Sequence, residues 1–412
     1  MPEQEREFEI VVWGASGFTG RLTAEYLLAQ HGASGGLRWA IAGRNREKLE
    51  ALKDELARET GTATDSLPIL IGDSEDEASL AAITSRSRVI CSTVGPYAKY
   101  GSELVKACAE SGTAYCDLTG EVHWMQRMIE AHQDAAVASG ARIVFTCGFD
   151  CIPSDIGAFF MQREMKRLHG ETCSQVQLRV KGFSGGASGG TIASMLAMMD
   201  EAAVDAGVRR AMSEPYSLNP KDQQAGPDSA EGMAPSYDAD FGEWTSPFVM
   251  AGINTTVVRR SNALLEYAYG KAFRYDEAVL MGSGVGGFAK AAAASAGSAA
   301  TLGAMALGPL RRVAAGRLPQ PGEGPSKEKR EAGYFDLALR GVSDSGRVLY
   351  GRVRGDRDPG YGATSKMLAE SALCLARDPL AVAGGLWTPA SALGEALLTR
   401  LPQAGVSFEL ED

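Results

Sequence analysis

Residues 10–20 read Ile10-Val11-Val12-Trp13-Gly14-Ala15-Ser16-Gly17-Phe18-Thr19-Gly20. The apolar run at the start is typical of a buried parallel strand, and residues 21–28 have the apolar spacing of a helix. Between them lie three glycines spaced three apart. A strand, a glycine-rich turn and a helix in this order form the context of a dinucleotide-binding site. The alternative is a glycine turn that joins a strand to a helix without any ligand.

Each glycine has a physical role in such a site. Gly14 makes the tight turn, Gly17 lets main-chain N–H groups approach a pyrophosphate, and Gly20 lets the helix pack close to the strand. The phosphates then sit at the helix N-terminus, where unpaired N–H groups and the helix dipole favour anions. The spacing, G-x-x-G-x-x-G, differs from the common G-x-G-x-x-G fingerprint. The residues predicted to bind the cofactor here are Gly14, Ser16, Gly17, Phe18, Thr19 and Gly20.

The residues after the second predicted strand, 37–43, distinguish the two nicotinamide dinucleotides. An NAD site places Asp or Glu at this point to bind the ribose 2′-hydroxyl. Neither occurs between residues 37 and 46, and Gly43 is followed by Arg44. A guanidinium at this strand end can bind a 2′-phosphate and stack on adenine, whereas the alternative is a solvated arginine that opens the next helix. Arg44 therefore predicts NADP(H) as the cofactor.

Further strands alternate with helices up to residue 150, within 68–73, 88–97, 114–121 and 141–145. This alternation predicts a parallel, doubly wound sheet, which is a Rossmann domain. Loops at the carboxyl ends of such strands line the ligand crevice. The further residues predicted to contact the cofactor are Asp73, Thr93, Val94, Gly95, Pro96 and Asp117. For Asp73, capping of the following helix is the alternative.

Length, charge and composition narrow the class of protein. A chain of 412 residues with 45% hydrophobic residues has enough material for two or three domains with sizeable cores. The net charge of -10 argues against nucleic acid as a partner, because phosphate binding needs clustered Lys and Arg. The acidic, polar start carries no apolar signal segment, so we expect a cytoplasmic protein. Seven cysteines without a C-x-x-C pair and four histidines without ligand spacing indicate buried free thiols and no metal site.

The rest of the chain is predicted to form a second α/β domain with a mixed or antiparallel sheet. The expected division is 1–150 for the Rossmann domain, 151–360 for a substrate and dimerisation domain, and 361–412 for C-terminal helices. Segments 334–339 and 347–353 are predicted as an antiparallel pair of strands.

Two segments of this second half lack a clear strand or helix period. Residues 213–247, rich in Pro, Ser, Asp and Gly, are predicted as a long surface excursion. Residues 278–310 are dominated by Gly and Ala, with Lys290 as the only charge. That segment is long enough for a membrane span by length alone, but its glycines weaken a helix. We expect a tightly packed helix or a lid; contact with a lipid substrate or a membrane surface is the alternative.

Short motifs from both halves of the chain resemble a known family. They are GASGFTG (14–20), AGR (42–44), TVGPY (93–97), DLTGE (117–121), CGFDCIPSD (147–155), SGGT (188–191), RRSNALL (259–265), DPGY (358–361) and LWTPA (386–390). With these motifs the chain resembles the saccharopine dehydrogenase-like oxidoreductases, and among them the bacterial trans-acting enoyl reductases of mycobacterial lipid synthesis. The resemblance extends over almost the whole chain.

This resemblance implies an NADP-binding Rossmann domain, an α/β substrate domain, and C-terminal helices that return toward the first domain. It also implies reduction of a carbon–carbon double bond on a long acyl or polyketide chain, with the enzyme acting in trans to a synthase. The partners expected are therefore an acyl-chain substrate and a synthase. A homodimer is expected only from the general prevalence of such assemblies.

A reduction of this kind needs a hydride donor, hydrogen-bond donors for the developing enolate oxygen, and an acid. Tyr97 is the first candidate for the acid, because a phenol can donate a proton and its loop should pass the nicotinamide. The alternative is that Tyr97 only packs on the cofactor. Asp150 is the second catalytic candidate, with helix capping or main-chain orientation as the alternative.

Two other functions compete with enoyl reduction. The first is an amine-forming dehydrogenase of amino acids, whose site should offer Arg or Lys to a substrate carboxylate. The cations available for it are Arg179, Lys181, Arg259 and Arg260. The second is a non-catalytic protein that binds NADP(H) or lipid and keeps the cleft without turnover.

Replacement of Arg44 tests the choice of cofactor. We expect Arg44→Asp to weaken NADPH binding by on the order of tenfold or more, because a carboxylate repels the 2′-phosphate. The affinity for NADH should change far less. Fluorescence titration of both dinucleotides measures the two affinities, and an equal loss for both would undo the assignment.

Overall fold

Two β-sheets, each of seven strands in the described part of the chain, organise the molecule. This computed structural model describes residues 6–185, 189–230, 232–306 and 324–411. The strands up to residue 150 are β1 (Phe8–Trp13), β2 (Trp39–Gly43), β3 (Ile69–Ile71), β4 (Ser87–Ser92), β5 (Ala114–Cys116) and β6 (Arg142–Val144). The later strands are β7 (Cys173–Ser184), β8 (Ser236–Asp238), β9 (Glu243–Pro247), β10 (Arg274–Gly282), β11 (Tyr334–Ser343), β12 (Val348–Gly355), β13 (Gly385–Trp387) and β14 (Val406–Glu411).

Helices connect the strands and cover the sheets. Those before residue 150 are α1 (Phe18–His31), α2 (Arg46–Thr60), α3 (Glu77–Thr84), α4 (Tyr97–Tyr100), α5 (Ser102–Ser111) and α6 (Val122–Ser139). Those after it are α7 (Ile152–His169), α8 (Gly189–Val204), α9 (Ala206–Ser213), α10 (Ala251–Leu264), α11 (Gly284–Ala306), α12 (Lys327–Glu331), α13 (Thr364–Arg377), α14 (Pro389–Ala392) and α15 (Gly394–Arg400). Short 3-10 turns lie at Lys221–Gln223 and Leu401–Ala404, and a π-helical turn lies at Pro359–Ala363.

The first sheet is the predicted Rossmann sheet, and the structure confirms it. Its order is β13-β6-β5-β4-β1-β2-β3, and its strand pairs are parallel. The connection reverses direction between β1 and β4, so the ligand crevice lies at their carboxyl ends. The sequence did not predict the edge strand β13, which pairs with β6 after a separation of more than 200 residues.

The apolar run of β1 is buried on both faces, as expected for a central parallel strand. Ile10 and Val12 belong to one core, together with residues of α1, α2 and α13. Val11 and Trp13 belong to the other, together with residues of α5 and α6. The C-terminal helix α13 therefore packs on the Rossmann sheet.

The second sheet is mixed, as predicted. Its order is β14-β12-β11-β7-β10-β9-β8, in which β7 and β10 are parallel and the other pairs are antiparallel. The predicted pair of strands in 334–353 is confirmed as β11 and β12. Part of the surface excursion predicted for 213–247 is ordered, because β8 and β9 form the edge of this sheet. Strands of three and five residues are too short to show a period in the sequence.

The segment 278–310 divides between two elements, which differs from the single helix or lid that was expected. Residues up to Gly282 extend β10, α11 follows, and residues 307–310 lie outside the described part. The helix rests on β9, where the rings of Phe288 and Trp244 are 4.8 Å apart. Within the described ranges, no helix combines the length and apolar character needed to cross a bilayer.

Buried polar contacts join the two sheets at their junction. The carboxylate of Asp155 on α7 accepts hydrogen bonds from the Ser261 hydroxyl (2.5 Å) and the Ala390 N–H (2.7 Å). The buried guanidinium of Arg260 donates to the carbonyl of Leu386 in β13 (2.8 Å). The C-terminal residues give β13 to the first sheet and β14 to the second. The division at residues 150 and 360 stays a prediction.

Candidate active site

The glycine turn after β1 has no room for side chains. Gly14 has a φ of +83°, and a Cβ atom on it would lie 2.4 Å from Val94 Cγ2. A Cβ atom on Gly20 would lie 2.3 Å from the carbonyl oxygen of Gly14. Contacts this short do not occur between real atoms, so these positions require glycine. The start of α1 is thereby held against the sheet.

The N-terminus of α1 fits a pyrophosphate. Its N-cap residue is Gly17, which has no side chain to satisfy the first N–H groups of the helix. Ser16 is exposed, and Phe18 and Thr19 are half-buried, so the main chain of this turn faces solvent. Main-chain N–H groups and the helix dipole favour an anion at this position. The predicted residues 14–20 thus form one accessible cradle.

Arg44 lies exposed at the end of β2, beside this cradle. The Ser16 hydroxyl oxygen is 3.9 Å from the position of a Cβ atom on Gly43, so the turn and the strand end are neighbours. Arg46 forms an ion pair with Glu50 (3.8 Å), whereas Arg44 has no ion-pair partner in the described residues. An exposed guanidinium next to the ribose side of the cradle suits a 2′-phosphate.

The loop after β4 runs beside the glycine turn, as predicted. The N–H and the hydroxyl of Thr93 both donate to the Trp13 carbonyl, at 3.0 and 3.1 Å. Gly95 faces the second half of the chain, since a Cβ atom on it would lie 3.2 Å from the Ser194 hydroxyl oxygen. The loop after β4 and helix α8 therefore lie against each other at Gly95 and Ser194.

Asp73 follows β3 at the same edge of the sheet. Its carboxylate accepts a hydrogen bond from the Glu75 N–H (3.1 Å). The N-cap of α3 is Asp76, whose carboxylate accepts from Ala78 N–H (3.1 Å). Asp73 therefore shapes the turn before the helix, and its predicted cofactor contact stays a prediction.

The hydroxyl of Tyr97 points into the protein. It donates to the Ser92 carbonyl (3.2 Å) and accepts from the Leu118 N–H (3.5 Å), and its ring packs on Trp124 at 5.4 Å. Burial raises the pKa of Tyr97 well above its usual value. These contacts favour a structural role for the phenol. This role is similar to the alternative stated above, in which Tyr97 only packs.

Glu121 holds the loop from which Tyr97 extends. Its buried carboxylate accepts hydrogen bonds from the N–H groups of Tyr97 and Ala98, both at 2.8 Å. It thereby satisfies the first turn of α4. Sequence reasoning placed Glu121 in a crevice loop without assigning it this role, because no spacing rule links residues 24 positions apart.

Asp117 ties the ends of β5 and β6 together. Its carboxylate accepts from the N–H groups of Thr119 and Thr146 (both 3.1 Å) and from the Tyr115 hydroxyl (3.0 Å). Burial raises its pKa to about 7, against the effect of these hydrogen bonds. The side chain is fully buried and positions the crevice loops, and its predicted contact with the cofactor stays a prediction.

Asp150 differs from the other crevice acids because its carboxyl is not engaged. It is half-buried on the turn after β6, and the described residues give it no hydrogen-bond partner. Burial raises its pKa to about 6. The turn itself is fixed: the Phe149 N–H donates to the Thr364 hydroxyl (2.9 Å), and the Phe149 ring lies 4.9 Å from that of Phe335.

Two of the four cations that could bind a substrate carboxylate form ion pairs within the protein. Buried Arg179 forms ion pairs with Asp238 and Asp276, both at 2.6 Å. Buried Arg259 pairs with Asp228 at 2.8 Å. These ion pairs remove Arg179 and Arg259 from the candidates for an amino-acid carboxylate, whereas Lys181 is exposed and Arg260 donates to main-chain carbonyls.

The fold and the cradle define an NADP-binding, doubly wound domain joined to a mixed-sheet domain, the class of nicotinamide-dependent oxidoreductases. Residues 10–144 match the family described as saccharopine dehydrogenase NADP binding domain. A protein of Mycobacterium tuberculosis (strain ATCC 25618 / H37Rv), named as a candidate trans-acting enoyl reductase, is 41% identical over 99% of both chains. The trans-acting enoyl reductase of Mycobacterium ulcerans (strain Agy99) is 38% identical over 98% of both chains.

The chain therefore belongs to the saccharopine dehydrogenase-like oxidoreductases and, within them, to the group of trans-acting enoyl reductases. It is an NADP-dependent oxidoreductase. Among solved structures, saccharopine dehydrogenase (L-Glu forming) from Saccharomyces cerevisiae has the same fold, with a TM-score of 0.53 over 98% of this chain and 99% of that one. At 12% identity this likeness concerns the fold alone.

Removal of the Tyr97 hydroxyl tests whether this group stabilises the fold or takes part in the reaction. We expect Tyr97→Phe to lower the free energy of unfolding by about 1 kcal/mol, the usual net value of a hydrogen bond, and to leave kcat for NADPH oxidation nearly unchanged. Tyr269→Phe is the matched control, because its buried hydroxyl has no hydrogen-bond partner in the described residues. A large fall in kcat at unchanged stability would instead show that Tyr97 takes part in the reaction.

Proposed function

We propose that this protein uses NADPH to reduce a carbon–carbon double bond of an acyl or polyketide chain that a separate synthase supplies. The names of the full-length relatives support the reaction and the action in trans. The observation that carries the proposal is Asp150, a half-buried acid that remains unengaged at the crevice of an NADP-binding sheet. A reductase needs such a group to protonate the carbon next to the reduced position.

The cofactor is proposed to lie along the carboxyl ends of the parallel strands. The residues proposed to hold it are Gly14, Ser16, Gly17, Phe18, Thr19, Gly20, Arg44, Asp73, Thr93, Val94, Gly95 and Pro96. Asp117 supports this site indirectly, through the loops that it ties. When bound, NADPH supplies a hydride to the β-carbon of the enoyl group.

The chain itself supplies the proton. Asp150 in its protonated form is proposed to give this proton to the α-carbon, directly or through a water molecule, and to regain one from solvent. Its pKa of about 6 allows both states near neutral pH. Tyr97 is less suited, because its hydroxyl is bound to the Ser92 carbonyl.

The wall opposite the cofactor loop suits an apolar substrate. Helix α8 places Ser194 next to Gly95 and carries half-buried methionines at 195, 198 and 199. Methionine side chains are flexible and polarizable, so they adapt to chains of different shape. This surface supports an acyl chain as the substrate class.

Replacement of Asp150 tests this chemistry. We expect Asp150→Asn to lower kcat by roughly a hundredfold or more and to leave NADPH affinity unchanged, because general acid catalysis contributes about that much. In the wild type, kcat should fall as pH rises through about 6, since only the protonated carboxyl donates. Stopped-flow NADPH oxidation with an enoyl thioester measures both effects.

The control for this variant is Asp344→Asn, in the exposed turn between β11 and β12. It removes one carboxylate far from the crevice and should retain the pH profile. If Asp150→Asn kept the wild-type kcat and pH profile, the assignment of the acid would be wrong.

We further propose a peripheral lipid contact through the segment 278–310. Its helix α11 exposes Val285, Phe288 and Leu302, and Lys290 is its only charged residue. Phe288→Glu should reduce sedimentation with phosphatidylcholine vesicles, whereas Lys290→Gln should not; absence of binding by the wild type would refute the contact. The proposed homodimer is tested by the solution mass from light scattering.

A further inference from the structure

A cavity of about 760 Å³ lies at the N-terminus of α1, between the two halves of the chain. On one side it is lined by Ser16, Gly17 and Phe18, and on the other by Ser326, Lys327 and Arg330. The second wall comes from the start of α12 and the residues before it.

The second wall is packed directly on Phe18. The ring of Tyr361 meets the Phe18 ring edge-on at 5.1 Å, and the Arg330 guanidinium lies 5.5 Å from its centre. A Cβ atom on Gly324 would lie 2.4 Å from the Phe18 ring, so the main chain itself touches it. The segment that carries Arg330 is therefore fixed beside the first turn of α1.

Arg330 is buried, and its guanidinium has no carboxylate partner among the described residues. Its side chain is only 6% exposed, and it donates one hydrogen bond, to the Pro325 carbonyl (2.7 Å). In the described ranges no acidic oxygen lies within 4.0 Å of it. Asp358 is near, but its carboxylate accepts from the N–H groups of Tyr361 and Gly362. A buried cation in this condition is costly unless an anion joins it.

Arg21 also lines the cavity but, unlike Arg330, it is paired with carboxylates. Arg21 forms ion pairs with Glu55 (2.7 Å) and Glu59 (3.2 Å), which also line the cavity. Arg21 therefore balances one of these two negative charges, and its own charge is fully used. The cations that form no ion pair within the described residues, Lys327 and Arg330, line the opposite wall of the cavity, across from the N-terminus of α1.

We propose that Arg330, assisted by Lys327, binds the pyrophosphate of the dinucleotide. The inference rests on NADP(H) as the cofactor and adds a residue from the second half of the chain to its site. The N-terminus of α1 is where a dinucleotide pyrophosphate binds in this class of fold. Arg44, at the end of β2, then binds the 2′-phosphate. Each phosphate then has its own guanidinium.

Two fragments of the cofactor separate these roles. ADP carries a pyrophosphate without a 2′-phosphate, and adenosine 2′-monophosphate carries the reverse. We expect Arg330→Gln to weaken ADP, NADPH and NADH by roughly tenfold or more, as for a lost charge-assisted hydrogen bond, and to leave adenosine 2′-monophosphate unchanged. Arg44→Gln should show the opposite pattern with the two fragments. Isothermal titration calorimetry of the full chain measures these affinities.

Lys329→Gln is the matched control, since Lys329 is exposed on the same helix and does not line the cavity. It should bind all four ligands as the wild type does. If Arg330→Gln fails to fold, Arg330→Lys keeps the charge but loses the planar fork, and should weaken ADP several-fold.

Unchanged ADP affinity in the folded Arg330 variant would overturn the inference while leaving the cofactor assignment intact. If the wild type bound neither NADPH nor ADP, the cofactor assignment itself would fail, and this inference with it.

Discussion

No side-chain carbon fits between the glycine turn after β1 and the end of β4, and the site depends on this constraint. Gly14 touches Val94, and Gly20 touches the carbonyl of Gly14. Thr93 then bonds to the Trp13 carbonyl, so the phosphate cradle and the loop toward the nicotinamide form one rigid unit. A Cβ atom at either glycine would separate them. The same close contact therefore fixes both parts of the proposed cofactor site.

Three carboxylates follow the strands that border the crevice, and their surroundings give them different tasks. The carboxylates of Asp117 and Glu121 accept hydrogen bonds from main-chain N–H groups, and these bonds fix the loops after β5 and β4. Asp150 is only half-buried and has no such donors in the described residues, and desolvation raises its pKa. Residues of the same chemistry thus divide into two that position loops and one that can exchange a proton.

The first sheet could be predicted from the sequence because a parallel strand buried on both faces is a continuous apolar run. The position of Arg44 at the end of β2 could be predicted for a similar local reason, because it directly follows the apolar strand. The direction of the Tyr97 hydroxyl was not, because it depends on Ser92 and Leu118 after folding. β13 and the contact of Arg330 with Phe18 could not be predicted, since both join parts of the chain over 200 residues apart.

The chain from Gly324 to α13 contacts both ends of the cleft, which gives the second half of the protein a direct part in the cofactor site. Arg330 and Tyr361 enclose Phe18 at the phosphate end. Thr364 accepts a hydrogen bond from Phe149, next to the proposed acid. Because Thr364 also donates to the Pro359 carbonyl, the two contacts share one short segment. A displacement of that segment would move the proposed phosphate wall and the proposed acid together, so the two proposed roles depend on the same support.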